Sequence, residues 1–282
     1  AVSALPSERY YMKPWDFKAM LYVKESLADA GLKLEVIEPA PPHYHIKLGL
    51  PGRDSEIEVF KQVLRNMAAL DIPILCYNFM PQCGWYRTSF SKKGRGGALV
   101  TGFDASLVEK APVLTEVGHL SDEQIWDNYK YFMDRILPVA EECKIKLALH
   151  PDDPPVSSLQ GVARIFRNVE NMDKALQLYP SDYNGITLCQ GTFAAMGADI
   201  PQVIEYFGNQ GKIFFVHFRD IRGTATCFEE TFHDDGMTDM KACINMYQKV
   251  GYDGPIRTDH APIMEGEGGD NPAYEMLGHI FA

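Results

Sequence analysis

Four short apolar runs in the second half of the chain each end on a side chain able to bind a metal ion. Residues 145–149 run into His150, 185–188 into Cys189, 212–216 into His217 and 255–258 into Asp259. A loop and then a segment of helical periodicity follow each run. Strands that alternate with helices pair in parallel through right-handed crossovers. An open doubly wound sheet would carry a glycine-rich phosphate loop after its first strand, and this chain has none. Ligand-type residues at four successive strand ends instead predict a closed (β/α)8 TIM barrel, in which every strand C-terminus faces one mouth. There the four side chains converge on a single metal ion.

The first half fits the same alternation. Asp16 predicts the cap of a helix over 17–30, with Gly31 as its stop. A strand is expected over 32–37, a helix over 54–70 with Ile57, Phe60, Val63, Leu64 and Met67 on one face, and a strand over 74–79. Ser121 with Gln124 opens a further helix through a capping box. The long connection at about 82–120 contains Lys92-Lys93-Gly94-Arg95-Gly96-Gly97, too polar and glycine-rich to pack, and reads as a mobile loop or lid. Six strands are two short of a barrel, and the pattern starts on a helix after an irregular 1–15. About one βαβ unit is therefore expected to be missing on the N-terminal side, and the last helix to be shortened. Without a repeat or a linker, 1–282 reads as one barrel domain.

Charge narrows the partners. A formal net charge of -11 with no basic stripe excludes a nucleic-acid partner, because nothing neutralises phosphates. No apolar run approaches the roughly 18 residues of a membrane span, and the start lacks the pattern of a secretory signal. The six cysteines at 76, 83, 143, 189, 227 and 243 form no paired motif, which predicts reduced thiols in a cytoplasmic protein.

Taken singly, the four strand-end residues are weak evidence, since a histidine there is commonly a structural hydrogen-bonder and a lone cysteine a small core residue. Recurrence at successive ends carries the metal reading. Two imidazoles, a thiolate and a carboxylate admit zinc, iron, cobalt or manganese. His260 follows Asp259 and points elsewhere, so it can serve as a general acid or base facing substrate. Asn78, Arg87, Asp152 and Arg219 are the expected substrate-binding residues; Arg219 would pair with a carboxylate. Asp152 and Asp153 read equally as turn residues among prolines or as groups that orient ligand imidazoles. Tyr274 reads equally as an active-site hydroxyl or as an ordinary helix residue.

Several longer strings resemble the mannonate dehydratase family. They are Cys76-Tyr77-Asn78-Phe79-Met80-Pro81, Trp85 with Arg87 and Thr88, His150-Pro151-Asp152-Asp153-Pro154-Pro155, Cys189 with Gly191, His217 with Arg219, and Arg257 with Asp259 and His260. They span about Leu32 to Tyr274 in the family's order. The resemblance implies a xylose-isomerase-like barrel holding a divalent metal, typically Mn2+, with Fe2+, Co2+ or Zn2+ as alternatives. It also implies dehydration of D-mannonate to 2-keto-3-deoxy-D-gluconate in hexuronate breakdown, and a homodimer. The family's ligands fall on His150, Cys189, His217 and Asp259, and its catalytic histidine and tyrosine on His260 and Tyr274. The family barrel begins with two strands upstream of the helix at 16–30. Gly84 departs from the pattern, standing where an acidic residue is expected. The rival readings are a sugar isomerase or epimerase on the same barrel, which would use paired glutamates, and an inactive paralogue that binds a sugar acid.

Overall fold

Seven parallel strands form the barrel wall in the computed structural model, which describes all residues except 9–11, 82–83, 114–115 and 269–271. The strands are Val2–Ser3, Val36–Ile37, Ile74–Asn78, Lys146–His150, Asn184–Cys189, Ile213–Phe218 and Ile256–Thr258, and their order in space is their order in the chain. Residues 2–3 were expected to be irregular. They pair instead with Val36 and Ile37, so one of the two strands expected upstream of the first helix lies within this chain. A two-residue strand bounded by Pro6 carries too little pattern to be read from sequence.

Strands walled by helices on one side and packed against each other on the other are buried on both faces, which is why 74–77 and 213–217 are apolar almost throughout. A core cluster of Val36, Ile74, Cys76, Ala148, Phe214 and Phe215 fills the interior, and the register shift between Ile213 and Phe215 lets both phenylalanines join it. Side chains alternate along a strand, so two residues beyond an interior residue is interior again. Two steps from Cys76, Ala148 and Phe215 reach Asn78, His150 and His217, at the C-terminal mouth. Register completes the placement: Asn78 lies opposite His150, and His217 lies opposite both Cys189 and Arg257.

Helices Phe17–Asp29, Arg53–Ala69, Asp122–Cys143, Val169–Leu178, Ile200–Asn209 and Met240–Lys249 cover the outside. The expected face of the second is buried at Ile57, Phe60, Val63, Leu64 and Met67, and the capping box at Ser121 and Gln124 is present. Asp16 behaves differently. Its carboxylate accepts from the Lys13 amide at 2.8 Å and ties down the preceding turn rather than the helix.

The connection at 82–120 is partly a sheet, with residues 82–83 and 114–115, and hence Cys83, outside the described part. Ser89–Lys93 and Leu99–Asp104 form a hairpin whose turn runs through Gly96 at φ 67° and Gly97 at φ 86°. The glycines are thus turn chemistry at left-handed positions. The hairpin pairs with a second one, Ile221–Thr224 with Cys227–Glu230, from the loop after the sixth barrel strand. The resulting four-stranded antiparallel sheet places Glu230 beside the site described next.

Candidate active site

His150, Cys189 and His217 bring their donor atoms within 4.8 Å of one another. Asp259 Oδ2 stands 3.6 Å from His217 Nδ1. All four are buried. Each histidine has one nitrogen committed. His150 Nδ1 donates to the Pro151 carbonyl at 2.7 Å, which leaves Nε2 with a lone pair. His217 Nε2 donates to Glu38 Oε2 at 3.1 Å, and its Nδ1 is buried without a hydrogen-bond partner among the described residues. A buried, unpaired ring nitrogen is destabilising unless something occupies it. Cys189 Sγ accepts from Thr192 Oγ1 at 3.2 Å and Arg219 Nη1 at 3.3 Å. Burial opposes ionisation of this thiol, but Arg219 and His150 outweigh it and hold it well below its ordinary range. A thiolate, two oriented imidazole lone pairs and a carboxylate fit a divalent cation.

Glu38 was read only as the end of a strand, and it proves to be central. It accepts from His217 and, at 3.0 Å, from Arg257, while the Cys76 thiol donates to its other oxygen at 3.1 Å. Burial would raise this carboxyl, yet His217 and Arg257 bring it down to about 2. A carboxylate behind a ligand imidazole fixes the ring's tautomer and aim.

A second cluster adjoins the first through Arg219. Asp153 is gripped by Arg87 at 2.7 and 2.9 Å and by Arg219 at 2.8 Å. Glu230 accepts from Arg219 through both oxygens at 2.8 Å and from Arg87 at 2.7 Å. These side chains have at most 2 % exposure. Two guanidiniums against two carboxylates make the cluster neutral, which is the condition for burying so much charge. Gly191 makes room for it: a Cβ there would stand 2.9 Å from Arg219.

Against this base, His260 Nδ1 faces Glu230 Oε1 at 2.9 Å and Nε2 faces the Tyr274 hydroxyl at 2.9 Å. Tyr274 lies in the turn before helix Met276–Phe281 and not within a helix; Asn271 of the same motif lies outside the described residues. Burial, with Asp259 nearby, pushes the Tyr274 phenol up. Trp85 packs on His260 with ring centroids 5.0 Å apart.

A cavity of about 290 Å³ joins these parts, lined among others by Asn78, Trp85, His150, His217, Arg257 and Tyr274. Its size is at the lower end for small-molecule sites. Asn78 therefore lies on the cavity wall. Its Oδ1 accepts from Lys47 Nζ at 2.8 Å and the Met80 amide at 3.2 Å, which assigns the amide N–H groups to the cavity side. Arg87, Asp152 and Arg219 do not line the cavity. The two arginines belong to the buried cluster, and the partly exposed cation facing the cavity is Arg257, whose side chain keeps 26 % exposure.

Asp152 points away from the mouth. It pairs with Phe166 through both backbone and carboxylate, and its Oδ1 has no partner among the described residues. Burial is the main cause that raises its pKa from 3.8 to about 6, against Arg164 and Lys47. Because the folded value lies above the unfolded one, its contribution favours the fold below about pH 4 and is lost as pH rises through 6. Asp152→Asn should gain stability relative to the parent by about 2–3 kcal/mol between pH 4.5 and 8. Urea unfolding at the two pH values checks this.

A nearly closed barrel of seven parallel strands, with a mixed nitrogen, sulfur and oxygen donor set gathered at its mouth, defines a (β/α) barrel protein with a candidate divalent-metal site. Comparison with known proteins narrows the class. The sequence model of the D-mannonate dehydratase (UxuA) family matches residues 7–117 and 112–282. A mannonate dehydratase from Thermotoga neapolitana is 38% identical, over 90% of this chain and 79% of its own length. The crystal structure of mannonate dehydratase from Streptococcus suis serotype2 superposes with a TM-score of 0.89 at 33% identity, covering 99% of this chain and 81% of that one. A D-tagatose 3-epimerase-like protein shares the fold at a TM-score of 0.58 and 17% identity, over 90% of this chain and 80% of that one. This chain belongs to the mannonate dehydratase family.

Proposed function

We propose that this chain converts D-mannonate to 2-keto-3-deoxy-D-gluconate, the dehydration step of hexuronate breakdown. The observation that carries the reading is the His260–Tyr274 pair, joined at 2.9 Å in the same cavity as the metal donors. The reaction removes the proton at C2, beside the carboxylate, and expels the hydroxyl at C3. His150, Cys189, His217 and Asp259 would hold a divalent ion, which would supply Lewis-acid stabilisation of charge on the substrate carboxylate. Manganese is the family-level expectation for that ion.

The chain's own residues do the rest. Arg257, cationic and open to the cavity, holds substrate oxygens, and Asn78 donates to a hydroxyl. At rest the Tyr274 hydroxyl donates to His260 Nε2. When the C3 hydroxyl arrives, the phenol turns its proton to that oxygen and bares the Nε2 lone pair. His260 then takes the C2 proton as the C3–O bond breaks, and the Tyr274 proton leaves in the water formed. Transfer from His260 Nε2 to the Tyr274 oxygen resets both groups, and the enol becomes the keto acid. Protons balance with no outside donor. Trp85 covers His260 and limits access of water.

An isomerase would need paired glutamates. Among the described residues lining the cavity Glu38 is the sole glutamate, and it is engaged by His217 and Arg257. Metal-loaded protein incubated with D-mannonate should release one 2-keto acid per substrate, read by semicarbazide absorbance or NMR. Binding without product would favour the sugar-acid-binding paralogue, and an isomeric sugar acid the isomerase.

A further inference from the structure

We infer that Glu230, carried by the outer antiparallel sheet and not by the barrel, is the positioning residue that fixes the tautomer of His260. The inference rests on the role of His260 proposed above, but it concerns a property of the resting protein.

Each nitrogen of His260 has two candidate partners, and distance decides between them. On the Nδ1 side stand Glu230 Oε1 at 2.9 Å and Arg87 Nη2 at 3.5 Å. On the Nε2 side stand the Tyr274 hydroxyl at 2.9 Å and Asp259 Oδ2 at 3.6 Å. Contacts of 3.5–3.6 Å are at or beyond the limit of a useful hydrogen bond. A carboxylate only accepts, so the proton sits on Nδ1 and donates to Glu230. The lone pair on Nε2 then receives the Tyr274 proton. With the opposite tautomer, Nδ1 and Glu230 would present two lone pairs to each other.

Glu230 is equipped to impose this choice. It is 2 % exposed and clamped by Arg219 and Arg87. Burial would raise its carboxyl, but Arg219, His260 and Arg87 keep it at about 2, so it stays an acceptor. The two arginines already balance Glu230 and Asp153. The contact to His260 is therefore an extra one, aimed at the nitrogen remote from the reacting side. When Nε2 takes a proton, the charge on the ring lies against a carboxylate that needs no reorganisation.

The position of Glu230 adds a structural consequence. It ends strand Cys227–Glu230, which pairs with Leu99–Asp104 through Cys227 opposite Asp104 and Phe228 opposite Phe103. The outer sheet thus reaches the acid–base pair through one carboxylate and is part of the machinery as well as a cover.

The test uses the full chain labelled with 15N-histidine and loaded with Zn2+ as a diamagnetic occupant. His260 should show a protonated Nδ1 and an unprotonated Nε2 in the unsubstituted protein. Glu230→Gln, whose amide can donate to Nδ1, should shift the proton to Nε2. With Mn2+ its kcat on D-mannonate should fall by about 10²–10⁴-fold with KM within a few-fold, and Glu230→Asp should recover part of the loss. A resting Nε2–H tautomer, or parental kcat in Glu230→Gln at equal metal content, would overturn the inference. If Glu230→Gln does not fold, the tautomer of the unsubstituted protein still decides. A parent that shows the Nδ1–H tautomer yet leaves D-mannonate unchanged upholds the inference and removes the substrate assignment instead.

Discussion

Cys189→Ala should fold and yet retain no stoichiometric divalent ion, with turnover of D-mannonate down by at least about 10³-fold. The Cys189 sulfur is fully buried, and Arg219 and His150 hold its pKa well below the ordinary thiol range. Removing it takes away the one soft donor, and an uncharged methyl group cannot replace it. Arg219 keeps Asp153 and Glu230 as partners, so the charge cluster survives and the cost to the fold stays at about 1–2 kcal/mol. In the parent, added Mn2+ should raise the melting temperature because it binds the folded state alone; in Cys189→Ala that rise should disappear. Cys76→Ala is the control. Cys76 is also buried and touches Glu38, and with Glu38 and His217 it forms a second possible donor group within 4.8 Å; a metal content that stays near one per chain in Cys76→Ala assigns the ion to the Cys189 group. Metal analysis after dialysis reads both variants. A Cys189→Ala protein that still carries one ion per chain would remove the thiolate from the donor set.

The convergence of the candidate donors was legible because a strand end is a local signal: an apolar run and the residue after it suffice to place a side chain at a barrel mouth. His150, Cys189 and His217 all converge in that way, and Asp259 joins them at His217. Charged residues that support the site gave no such signal. Glu38 stands before prolines and resembles the exposed acid of a turn, and nothing local says that His217, 179 positions away, and Arg257 will close on it. Glu230 owes its place to a hairpin paired across more than a hundred residues with Leu99–Asp104. Arg87, beside the expected lid, and Arg219, two residues past His217, were expected to grip substrate, and their side chains meet in the buried cluster with Asp153 and Glu230. Their direction is set by Asp153, 66 positions from each, and a buried pair of this kind has no sequence period. The same limit explains the polar hairpin at 89–104: its glycines read as looseness because the strands that pair with it lie so far away.

Tyr274→Phe should lose about 10³-fold in formation of 2-keto-3-deoxy-D-gluconate while keeping its metal, its fold and a near-parental KM. The substitution removes one hydroxyl, hydrogen-bonded to His260 Nε2, a loss of about 1 kcal/mol in stability. The base is then left uncapped beside the substrate, and the acid that protonates the departing C3 hydroxyl is gone. Proton removal at C2 should persist without elimination. In D2O this variant should therefore incorporate deuterium at C2 of D-mannonate faster than it makes product, which NMR of recovered substrate reads directly. His260→Ala should lose exchange and elimination together, because neither step has a proton acceptor. The contrast fixes the two roles. Were Tyr274→Phe silent in exchange and His260→Ala active in it, the phenol would be the base, and the Glu230–His260 pair would act by reprotonating it.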